Sequence, residues 1–122
     1  MDELIARLVA NVGVDKTVAE KAVGIILDFL VKEGPSDMVQ AVVDKLPGAQ
    51  ALIQAQQASD AGGSMFGMGG LMGAGTKLMA AGLSMGQVQA VTKEVITYSR
   101  EKAGEDAVGE IVGAIPGLSQ FV

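Results

Sequence analysis

The chain lays onto itself at one constant offset. Gly13 falls on Gly82, Asp15 on Ser84, and Pro47-Gly48 on Pro116-Gly117, each 69 residues apart. At the same offset Ala22 meets Val91, Ile26 meets Val95, Leu27 meets Ile96 and Phe29 meets Tyr98. Val39, Val42, Val43 and Leu46 meet Val108, Ile111, Val112 and Ile115. Two helical segments can match apolar spacing by chance. A glycine stop, a capping acceptor and a Pro-Gly break recurring in one register are harder to attribute to chance. The first helix of each half agrees poorly, with Leu8 falling on Lys77. A unit of this size cannot bury its own apolar faces well, so the halves are expected to share a core. The expected fold is all-α: two pseudo-repeated four-helix units, about eight helices, packed around a pseudo-two-fold axis into one bundle-like domain. Residues 1–57 form the first repeat, 58–72 a Gly/Met-rich linker and 73–122 the second.

The helices follow from apolar spacing and its interruptions. Leu4, Ile5, Leu8, Val9 and Val12 predict a first helix, closed by Gly13. Asp15 is placed to cap a long helix reaching Glu33. Its polar strip (Glu20, Lys21, Gly24, Asp28 and Lys32) is thin. A helix this apolar is expected at the centre of its bundle, with Asp28 and Lys32 as an exposed i, i+4 pair. Gly34-Pro35-Ser36 and Pro47-Gly48 bound a third helix, and a short apolar segment runs from Ala49 to about Gln57. In the second half, helices are expected over about 71–81, from Ser84 to about Ala103, and around Ala107–Ile115. Leu71, Met72, Leu78 and Met79 are the apolar positions of the first of these. Ser84 with Gln87 reads as a capping box. Gly109 and Gly113, at i, i+4, predict close approach of a neighbouring helix.

Cysteine and histidine are both absent. That excludes disulfides, thiolate nucleophiles, Cys/His zinc sites and Ser-His-Asp or Cys-His catalysis within one chain. No catalytic residue, metal ligand or cofactor site is assigned. Nine basic residues stand against fourteen acidic ones, for a net charge of −5. The basic residues are scattered, so neither nucleic acid nor an anionic lipid surface is an expected partner. The start Met1-Asp2-Glu3 has neither the charge nor the apolar run of a secretory signal, which makes the cytoplasm the default location.

The order Gly-Leu-Ser, long amphipathic helix, glycine break, short helix and Pro-Gly-Leu, together with Leu46-Pro47-Gly48-Ala49 ahead of a glycine-rich linker, resembles the uncharacterised bacterial VcgC/VcgE-like proteins. The resemblance spans most of the chain from Gly13. It implies an all-helical bacterial protein of unknown function and brings no functional residues with it.

The stretch from Ala61 to Gly75 concentrates glycine and methionine and carries no charge. Gly67–Gly73 lacks the preceding strand and the spacing of a dinucleotide loop, and Gly75-Thr76-Lys77 has the phosphate-loop residues in the wrong order. The uncharged run Ala61–Thr76 is shorter than the roughly 20 residues of a spanning helix. Met65, Phe66, Met68, Leu71 and Met72 are the candidate apolar interaction surface, since methionine adapts to varied partners. The leading expectation is a non-enzymatic interaction or structural module, its partner a second copy of the chain or another protein. Two alternatives stay open: a carrier or sensor of an apolar small molecule or lipid, with a cavity mouth at Met65–Met72, and an enzyme working through carboxylate, Lys or Tyr groups.

Overall fold

The computed structural model describes residues 2–60, 70–115 and 117–120. Seven α-helices account for most of these residues, and no strand occurs among them. The first half holds α1 (Asp2–Asn11), α2 (Lys16–Glu33), α3 (Ser36–Asp44) and α4 (Ala49–Asp60). The second holds α5 (Gly70–Ala80), α6 (Met85–Ala103) and α7 (Glu105–Ala114), followed by a 3-10 turn at Leu118–Gln120. That turn stands where an eighth helix was expected. Helix covers 58–60 and 70–72, both within the expected joint; 61–69 lie outside the described residues.

The breaks fall where the sequence puts them. Gly13 takes φ 83° and its N–H bonds to the Leu8 carbonyl at 3.2 Å; Gly82 and Gly104 also take positive φ. Such backbone is cheap only without a Cβ. Gly48 at φ 86° and Gly117 at φ 85° reverse the chain after α3 and after α7. The capping box at α6 is complete: Gln87 N–H donates to Ser84 Oγ at 3.3 Å, and Ser84 N–H donates to Gln87 Oε1 at 3.0 Å. Asp15 occupies the matching position before α2, yet its side chain makes no capping hydrogen bond.

Helix α2 is the hub. Helices α1, α3, α4, α5 and α6 all pack on it, and every residue from Ala22 to Leu30 is buried. Two members of its expected polar strip are inside. A Cβ added to Gly24 would lie 2.9 Å from the Leu52 carbonyl oxygen, so the backbone of α4 runs directly over that glycine. Asp28 is only 2% exposed, accepting from Gln57 Nε2 at 3.2 Å and pairing with Lys32 Nζ at 3.0 Å. The expected surface pair is therefore half-buried, because α4 covers the strip and contributes Gln57 to complete it. Buried carboxylates persist only with such partners.

Close approach occurs at Gly24, not where the glycine pair of α7 predicted it. Gly109 and Gly113 are exposed, with open space where a Cβ would stand. Met79 and Val9, apolar positions of the expected helices, are 50% and 41% exposed. Thr92 and Ser99 are buried polar residues of α6, and each hydroxyl is satisfied by the carbonyl four residues back, at 2.8 Å.

The halves interlock. Helix α1 packs on α6 as well as on α2, α5 packs on α2 as well as on α6, and α3 meets α7. No described helix is long and apolar enough to cross a membrane.

Candidate functional site

Beside the start of α5 the three central helices leave a space unfilled. Helix α2 contributes Ile26 and Phe29, and α6 contributes Val88 and Thr92. Ala74, Gly75 and Leu78 of α5 close a third side, with Leu118 completing the wall. The cavity measures about 40 Å³. Water fits in roughly 10–15 Å³, while an engineered apolar cavity that takes benzene is about 150 Å³ and drug-sized pockets begin near 300 Å³. This space therefore suits a small group and is too small for a lipid.

Its chemistry is uniform. The wall holds no carboxylate, ammonium or guanidinium. Its one hydroxyl, on Thr92, donates to the Val88 carbonyl. Nothing in the wall can take or give a proton at neutral pH, and nothing can fix a charged ligand.

Small residues stand at buried positions in this part of α5, and of these Ala74 lines the space. Ala74 is 8% exposed and Gly73 is buried. At the 69-residue offset they fall on Ile5 and Leu4, which are 5% and 0% exposed in α1. Sequence reasoning named Phe29 as an apolar position and set Gly75 aside as a phosphate loop, but placed neither them nor Ala74 and Thr92 at a shared space. The signal was present: where α1 carries Leu-Ile, α5 carries Gly-Ala.

Of the expected apolar surface, Met65, Phe66 and Met68 lie outside the described residues. Leu71 and Met72 belong to the first turn of α5, one turn before Ala74 and Gly75.

A second cluster, charged, ties α1 to α6. Arg7 Nη2 donates to Glu101 Oε2 at 2.8 Å, and Lys102 Nζ lies 3.8 Å from Glu3 Oε2. Both cations flank the Tyr98 ring, with the Arg7 guanidinium carbon 5.7 Å and Lys102 Nζ 5.5 Å from its centroid. The hydrogen bond to Glu101 is the largest influence holding Arg7 above the ordinary arginine pKa; partial burial opposes it, and the charges of Glu101, Glu94 and Glu3 add to it. Tyr98 is 3% exposed, as expected of a core ring. With acids and bases interleaved, the cluster is a clamp between two helices. Among the described residues no group of three or more acidic side chains lies together as a metal ion would require.

The chain matches no protein-family model, no curated protein and no solved structure.

Proposed function

We propose that the chain is a non-enzymatic helical interaction module built of two related halves, and that it meets a second copy of itself or another protein through Met65, Phe66, Met68, Leu71 and Met72. The observation that carries this reading is the chemistry of the neighbouring cavity. A concave space walled by apolar atoms, its single hydroxyl already engaged, favours apolar contact over acid–base chemistry. The interaction surface precedes that space directly along the chain.

The two-half organisation is supported by which helices meet. Exchanging each element for its counterpart 69 residues away turns the α1–α6 contact into the α5–α2 contact and leaves α2–α6 and α3–α7 unchanged. These exchanges are the ones a pseudo-two-fold axis would make, while α3 packs on α6 without a matching α7–α2 contact of that extent. The turns after α3 and α7 agree as well: Ala49 N–H bonds to Leu46 O at 3.1 Å, and Leu118 N–H to Ile115 O at 3.3 Å. Kinship with the VcgC/VcgE-like proteins and a cytoplasmic location belong to the same proposal, resting on the caps, the breaks and the scattered charge.

Sedimentation velocity over a wide concentration range tests the self-association. The wild-type chain is expected to shift toward a dimer as concentration rises, and the triple variant Met65→Ser/Phe66→Ser/Met68→Ser to stay monomeric. A wild-type chain that stays monomeric throughout, or a triple variant that associates equally well, overturns it. The carrier reading has one observation in its favour, the apolar cavity itself, which among the described residues suits a molecule smaller than benzene. Native mass spectrometry showing a co-purified lipid would reverse that ranking.

A further inference from the structure

We propose that the cavity between α2, α5 and α6 is a binding site for one small, neutral, apolar group, of the size of a gas atom or a one- to two-carbon unit, and that Ala74 holds it open. The proposal rests on the non-catalytic reading of this space and deepens it by naming what the space accepts.

Protein interiors pack as densely as organic crystals, so an unfilled apolar space is a departure from ordinary packing. Here the space lies beside α5. In the first half, Leu4 and Ile5 of α1 are fully or nearly fully buried. Helix α1 packs on α6 there, as α5 packs on α2 in the second half. At the corresponding positions of α5 the chain carries Gly73 and Ala74, also buried, and so lacks the branched carbons that Ile5 supplies. Phe29, facing the space, lies at the 69-residue offset from Tyr98, which is 3% exposed. Where α1 carries Ile5, α5 carries Ala74, and about 40 Å³ stays open beside it.

The wall decides the class of ligand. Ile26, Phe29, Leu78 and Val88 offer only dispersion and removal of apolar surface from water. Because the Thr92 proton is directed at the Val88 carbonyl, a polar or charged group entering would lose its water contacts without an equivalent donor. Apolar cavities stay dry and take xenon or small hydrocarbons for this reason.

The test uses the full chain and xenon as the probe, followed by methyl-resolved NMR. Saturable shifts are expected at the methyls of Ile26, Leu78 and Val88, with Ile53 on α4 unmoved. Ala74→Ile, which installs the residue that the first half carries at the matching position, is expected to abolish those shifts and raise the unfolding midpoint. Should Ala74→Ile fail to fold, Ala74→Val is expected to weaken the response in a folded chain. Absence of saturable shifts at the three methyls, or an unchanged response in whichever substituted chain folds, overturns the proposal. Self-association read by sedimentation is independent of xenon, so failure of this site and failure of the interaction reading give different results.

Discussion

Helices α2 and α6 occupy matching places in the sequence and carry matching apolar residues, but only one of them is enclosed. Along α2 burial is continuous from Ala22 to Leu30. Along α6 the positions matching Gly24, Ile25 and Asp28 are Lys93, Glu94 and Thr97, which are exposed or half-exposed. The difference is made by α4, which crosses α2 at Gly24 and delivers Gln57 to Asp28. Even a bare Cβ at Gly24 would meet the Leu52 carbonyl, and α6 carries Lys93 at the matching position. Five helices pack on each of the two, and the face they do not share is the one that α4 covers on α2 alone among the described residues.

The comparison can be broken in five places. The largest effect is expected at Ile5. Ile5→Ala recreates in the first half the deficit that α5 already has, and should cost about 3–4 kcal/mol by urea unfolding. Gly24→Leu forces α4 off α2 and should cost about 2–3 kcal/mol, whereas Lys93→Leu on the open face of α6 should stay within about 0.5 kcal/mol. If the two substitutions cost the same, the assignment of α2 as hub through Gly24 is wrong. Asp28→Ala removes a buried acceptor from Gln57 and Lys32. Because both donors can turn toward water, the expected loss is about 1–2 kcal/mol, and Thr97→Ala at the matching position should be close to neutral.

At the helix starts, Ser84→Ala dismantles a complete capping box and should cost about 1 kcal/mol. Asp15→Ala removes no capping hydrogen bond, so its cost should remain below about 0.5 kcal/mol. Equal losses at the two sites would show that Asp15 caps α2 in solution. The smallest change is a gain. Gly109→Ala places a methyl in open space within α7 and should stabilise the fold by about 0.5–1 kcal/mol, read as a higher unfolding midpoint.

The features legible in the sequence are local ones. A glycine that must take positive φ, a Ser-x-x-Gln box and a Pro-Gly turn each act over a few residues, so Gly13, Ser84 and Gly48 could be placed without knowing their neighbours. Asp28 and Gly24 could not. On a helical wheel an aspartate and a glycine beside Lys21 and Lys32 read as solvated, and only the path of α4 puts them inside. Gly109 and Gly113 are the converse: their spacing permits a close crossing, but among the described residues nothing stands within 4 Å of a Cβ placed on them. The cavity lay between these cases. Its wall is drawn from α2, α5, α6 and Leu118, which no local pattern joins, yet the Gly-Ala in place of Leu-Ile could be read by aligning the two halves residue by residue.

The clasp between α1 and α6 also has a consequence in time. Arg7 and Glu101 are 94 residues apart, so α1 leaves the ribosome well before the partner that clasps it. At roughly 5–20 residues per second, that interval is about 5–20 s. During it the Tyr98 ring, the Glu101 carboxylate and the α6 surface on which α1 packs do not yet exist. Helix α1 is thus made before α6 and completed only with it: α2 covers part of its apolar face, and the nascent chain carries the rest uncovered until the second half arrives.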